Sequence, residues 1–287
     1  MTAQTICPVM NEPGRTPMPC RIQTIPVRPS RTASRVRIPR VIRVGYERAP
    51  RGDVCRLDSI PATDLLLFSV AFAILHLLPP FLKAPFPLLP LARTEDAFIV
   101  LRPFLLIPLY WLLLRRGRGA PLDGRLTISF LLVSVILAYG LGMHDAANSV
   151  GHQIRDETSD AYALAYFFDE VASHVLWHVA IMAFSVLIVW TELRYGDRSI
   201  TARWPSVLGG ALYGLTFFLA IIEGATVVIG LPFTVAVIIG LAVAARRAAL
   251  GRLATFFLVG YVVASLLFVG WGLYWRGFPE PSQLGIP

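Results

Sequence analysis

Seven apolar runs, at about residues 63–82, 97–114, 126–144, 164–192, 206–228, 230–246 and 254–275, limit what this chain can fold into. A helix of about 20 residues crosses the ~30 Å hydrocarbon core of a bilayer. In lipid, every backbone N–H and C=O must find its partner within the structure, so helices are the economical form for such runs. Composition agrees: 15% of the 287 residues are charged, where a soluble domain carries about 25%. The expected fold is all-α and polytopic, a bundle of about seven transmembrane helices over residues 61–278. The second and sixth runs are near the short limit, and the fourth is long enough to project beyond the lipid. Pro79-Pro80 ends the first helix, and Gly230-Leu231-Pro232 reads as the hairpin turn between the fifth and sixth.

The loop charges alternate. Arg48, Arg51 and Arg56 precede the first run, Arg115, Arg116, Arg118 and Arg125 separate the second from the third, Arg194, Arg198 and Arg203 follow the fourth, and Arg246, Arg247 and Arg252 follow the sixth. The alternate loops are poorer in base or mixed in sign. Basic loops stay on the cytoplasmic side, so the N-terminus is expected inside and the C-terminus outside, with residues 279–287 as a short external tail. The expected location is a plasma membrane, the inner membrane of a bacterium.

Residues 1–60 are rich in Pro, Arg, Ser and Thr and lack a sustained hydrophobic period. Such a segment buries too little apolar surface to offset the entropy of ordering, and is expected to be disordered. It reads either as a cytoplasmic tail attracted to anionic lipid or as an over-extended start. The net charge of +8 is concentrated here and in the short loops, so nucleic acid is not an expected partner. The lipid bilayer is. Cys7, Cys20 and Cys55 lie outside the apolar body and lack metal-site spacing.

One stretch between two apolar runs is different. Gly140 to His178, GLGMHDAANSVGHQIRDETSDAYALAYFFDEVASHVLWH, holds four of the chain's 5 histidines with several acids. Ionisable groups are costly at membrane depth and there usually serve function. Glu170, His174 and His178 are spaced i, i+4, i+8 and share a helix face. So do His144, Asn148 and His152, if the third helix persists past Gly142. At 1.5 Å per residue, His144 and His174 each lie ~27 Å from the cytoplasmic helix ends, His178 ~21 Å and Glu223 ~25 Å. Three segments thus carry His or Glu into one outer layer.

Imidazole and carboxylate suit zinc, with iron the second choice, and a thiolate site is excluded because the body has no cysteine. His144, His174 and His178 are the candidate metal ligands. Glu170 or Asp169 could orient a ligand histidine or act as general base. Glu223 could be a fourth ligand or a proton acceptor. His76 reads as a packing histidine, Asp145 and His152 as helix-end or water-facing groups, and Arg102 as a residue snorkelling to the outer headgroups.

The segments GLGMHDAAN, AYFFDE and HVLWH resemble the seven-helix membrane metal hydrolases that include alkaline ceramidases and adiponectin/progestin-type receptors. The resemblance implies zinc held by His144, His174 and His178, Asp169 as the accompanying acid, and cleavage of lipid amides or related lipids. The order departs from that family, in which the histidine pair lies on the last helix; here it lies on the fourth. The leading expectation is a metal-dependent hydrolase of a lipid or amphiphile. The alternative is a transporter, proton relay or receptor using the same buried groups without catalysis. The absence of an internal repeat weakens only the transporter form.

Overall fold

The computed structural model describes residues 62–118, 122–196 and 204–285. The expectation of a disordered tail over residues 1–60 lies outside them, as do Arg198 and Arg203. Six helical segments are long and apolar enough to cross a membrane: α2 (Thr94–Arg118), α3 (Gly124–Gly151), the continuous segment Asp160–Tyr195, α6 (Trp204–Glu223), α7 (Val227–Arg247) and α8 (Arg252–Trp275). The chain is a multi-pass helical membrane protein. The seventh, α1 (Ala62–Leu77), has only 16 described residues, ~24 Å at 1.5 Å each, short of a full hydrocarbon crossing. A 3₁₀ turn at Pro79–Phe81 follows it. A two-stranded hairpin, β1 (Pro85–Phe86) with β2 (Leu89–Arg93), then leads into α2.

Two boundaries differ from the sequence expectation. The α6–α7 turn falls at Gly224 to Thr226, with Ala225 at φ 49°, and Gly230-Leu231-Pro232 lies inside α7. Proline is tolerated in a transmembrane helix because neighbouring groups re-satisfy the backbone it frees, so a Gly-Leu-Pro run is no reliable stop there. The second difference is a π-helical stretch, Phe167–Ser173, between α4 (Asp160–Tyr166) and α5 (His174–Tyr195). Single π turns inside α-helices often occur at functional sites.

Helix α6 packs along both α8 and α1, α3 along α5, and α7 along α8. The α6–α8 contact is close because it is made of glycines. A Cβ at Gly214 would run into the Gly260 carbonyl, and one at Gly210 into that of Phe256. Small residues allow such backbone approach where lipid offers no hydrophobic drive for helix association. Around this seam sit Phe68, Phe72, Tyr213, Phe217, Phe257 and Tyr261, all fully buried.

The bundle has two chemically distinct ends. The end of α2 carries Arg115, Arg116 and Arg118, the start of α3 Arg125, the end of α5 Arg194, the end of α7 Arg246 and Arg247, and the start of α8 Arg252. Asp64 at the start of α1 pairs with Arg116, anchoring α1 to this basic end. The opposite end holds the histidines. Residues 279–285 fold back over it: Trp271 Nε1 donates to the Pro279 carbonyl at 3.0 Å, and Ser282 N–H to Glu223 Oε2 at 3.3 Å.

Candidate functional site

Helix α3 continues through His144 to Gly151, so His144 stands on a regular helix beside the π-helical stretch. The π stretch places Asp169 inward and Glu170 half-buried, and the Ser173 hydroxyl caps the Asp169 carbonyl. The sequence-derived trio comes together: the rings of His144 and His174 lie 4.9 Å apart, and those of His174 and His178 5.7 Å. Asp169 joins them, with Oδ1 2.7 Å from His144 Nδ1. That contact is close in distance but not aligned as a hydrogen bond.

Each imidazole turns its Nδ1 toward a protein oxygen. His174 Nδ1 faces the Glu170 carbonyl at 2.9 Å, with Glu170 Oε2 at 3.4 Å. His178 Nδ1 meets Thr226 Oγ1 at 2.6 Å. His76, at the end of α1, directs its Nδ1 to the Phe72 carbonyl at 2.7 Å. A carbonyl only accepts, so Nδ1 of His76 and of His174 must carry the hydrogen, which leaves Nε2 with the lone pair in the neutral ring. The Thr226 hydroxyl has the Ile221 carbonyl as its own acceptor at 3.4 Å. It can therefore accept from His178, an assignment made from the hydrogen-bond network. Nε2 of His76 and of His178 are buried without a partner.

His76 packs among aromatic rings, tilted against Phe72 at 4.1 Å and stacked on Trp177 at 5.3 Å. It is also part of the cluster, within electrostatic reach of His178, which its isolated position in sequence did not reveal. Thr226 and Gly224 are further members. A Cβ at Gly224 would lie 2.6 Å from His178 Cε1 and 3.1 Å from His174 Cγ, so this glycine is the wall on which both rings rest. The signal for them was the α6–α7 turn, legible only once that turn is placed at Gly224 rather than Gly230.

The remaining polar groups sort differently. Arg102 does not snorkel; it is 5% exposed, within electrostatic reach of Asp145 and Glu95. Counter-charge inside the bundle replaces the headgroup contact. Its Nε, Asp145 Oδ1 and Asp96 Oδ1 are buried without hydrogen-bond partners. His152 is exposed at the end of α3. Glu223 lies at the rim, exposed, with its carboxylate toward Ser282 rather than among the imidazoles. Beside it, burial and the Glu223 charge push the Glu280 carboxyl above its ordinary value.

The donor chemistry fits a borderline divalent cation, since imidazole nitrogens dominate and carboxylates adjoin them. Among the described residues, no three His, Cys, Asp or Glu donors already converge in a metal-binding group. The arrangement is thus a buried cluster of oriented imidazoles with an acid attached, with the donor types that a cation or a proton would meet there. Compared with known proteins, the chain matches no family model, no curated protein and no solved structure.

Proposed function

We propose that this membrane protein is a metal-dependent hydrolase of a lipid or other amphiphile, with zinc held through Nε2 of His144, His174 and His178. One observation carries the reading: the Nδ1 of each ring faces a protein oxygen, which is how metal-binding histidines are oriented from behind. Bound there, zinc would supply Lewis-acid activation of water at the reacting carbonyl. Asp169 orients His144 and takes up charge. Glu170, one turn before His174 and half-exposed, is placed to accept a proton from water entering at the rim, and Glu223 lies at that rim. Trp177 walls the cluster, its ring 3.8 Å from His178. The positive-inside rule puts this end outside, so the substrate would enter from the outer leaflet.

The test is elemental analysis of the purified protein, with single alanine changes at His144, His174 and His178. Stoichiometric zinc that each change lowers supports the reading. Protein without stoichiometric metal, whose metal content and hydrolysis of lipid amides ignore all three changes, overturns it.

A second reading has its own observation. The rings of His178, His174 and His144 follow one another at centroid distances of 5.7 and 4.9 Å, with Asp169 2.7 Å from His144, a series of titratable groups of the kind that proton relays use. Proton flux in liposomes that persists after metal chelation and is lost in His144→Phe would favour it.

A further inference from the structure

Away from the histidines, a groove of about 600 Å³ opens on the lipid-facing side of the bundle. Its floor is α5, from Val179 to Trp190, and its sides are α3, at Ser129, and α7, at Phe233. Val179, Val186 and Trp190 are 42%, 48% and 47% exposed, so no helix among the described residues covers the floor. The lining is apolar apart from Ser129. At this depth something must fill it.

We propose that the groove binds one acyl chain of an anionic phospholipid from the leaflet at the basic end of the bundle, its phosphate held by Arg125 and Arg194. Two features select this occupant. The floor from Val179 to Trp190 is ~16 Å long at 1.5 Å per residue, about half of the ~30 Å hydrocarbon core, a length that one acyl chain reaching in from the basic end can cover. The charge is complementary. Arg125 stands one turn beyond Ser129 on α3, and Arg194 one turn beyond Trp190 on α5, both exposed at the basic end of the bundle. The Arg194 guanidinium lies 5.9 Å over the Trp190 ring, which keeps it at the interface where tryptophan settles and where a guanidinium can hold phosphate by two N–H bonds. The site is independent of the histidine cluster and of the chemistry assigned to it.

The test uses the full chain in vesicles that mix ordinary phosphatidylcholine with brominated-chain phosphatidylglycerol or brominated-chain phosphatidylcholine. Trp190 quenching is read as the difference between the protein and its Trp190→Phe variant. An arginine near an anionic membrane surface favours binding by about 5-fold, so two arginines should favour phosphatidylglycerol by up to about 25-fold. The double change Arg125→Gln with Arg194→Gln should erase that preference, and Ala183→Phe should fill the groove and reduce quenching by both lipids. If Ala183→Phe does not fold, the arginine pair, both exposed, still decides. Equal quenching by the two lipids overturns the proposal. So does a Trp190 shielded from both lipids in a chain that cross-links to a second copy, since the groove is then an interface between copies.

Discussion

Thr226 Oγ1 stands 2.6 Å from Nδ1 of His178, joining the α6–α7 turn to the buried face of α5. His178 is 1% exposed, so nothing else can take over that contact from solvent. Thr226→Val keeps the shape and removes the hydroxyl. A buried donor left without a partner costs about 1–3 kcal/mol, and the thermal midpoint of the purified protein should fall accordingly, while Thr226→Ser stays near the parent. If His178 is a metal ligand, loss of this supporting hydroxyl should also weaken zinc binding by roughly 10–100-fold. An unchanged midpoint in Thr226→Val would mean that the hydroxyl does not support the ring.

How far the sequence reveals this arrangement depends on the kind of force involved. The six long helical segments are legible because hydrocarbon imposes a minimum length and one hydrogen-bonding solution on an apolar run that crosses it. His144, His174 and His178 are legible as a group because helix rise and alternating direction fix depth, and ionisable groups at depth are rare. Three features are not. The π stretch at Phe167–Ser173 has no residue signature. The turn at Gly224 is masked by Gly230-Leu231-Pro232, whose residues would stop a helix in water but not within a bundle in lipid. Arg102 and His76 look solitary because Asp145 of α3 and Trp177 of α5 are brought to them only by packing.

At the basic end, Glu192 caps a helix to which it does not belong. Its carboxylate accepts the N–H groups of Leu253 and Ala254, at 2.9 and 2.6 Å, in the first turn of α8. Those donors have no partner within their own helix, and a negative charge there also complements the helix dipole. Glu192→Ala should lower stability by about 1–3 kcal/mol, read as a lower denaturant midpoint. Glu192→Gln should recover part of this, because its amide oxygen can still accept one of the two bonds. A Glu192→Ala protein as stable as the parent would show that the cap contributes nothing.

The C-terminal turn should loosen as pH rises. Burial and the Glu223 charge raise the Glu280 carboxyl above the ordinary 4.5. A group whose folded value is raised stabilises the folded segment fully below the unfolded value, and loses that contribution as pH climbs through the folded value. Amide exchange of residues 279–285, corrected for its intrinsic pH dependence, should therefore be most protected in acid and less so toward neutrality. Glu280→Gln should flatten the profile. Protection that instead increases with pH would contradict the sign.

Gly224 offers the sharpest test of whether the two imidazoles of α5 must lie where they do. Any side chain here meets both rings at once, 2.6 Å from His178 Cε1 and 3.1 Å from His174 Cγ. Neither can yield easily, because each is tethered through Nδ1, to Thr226 and to Glu170. Gly224→Ala must therefore push the rings off their tethers or move the α6–α7 turn. Gly142, two residues before His144 on α3, is the natural control, since a Cβ there meets nothing within 4 Å. Replacing a mid-helix glycine with alanine should by itself stabilise by roughly 0.5–1 kcal/mol. In histidine-labelled protein, the ring nitrogen shifts of His174 and His178 should move in Gly224→Ala and stay fixed in Gly142→Ala, with zinc binding weakened only in the former. Ring signals that respond equally to both changes, or to neither, would mean that Gly224 is not the wall of the site.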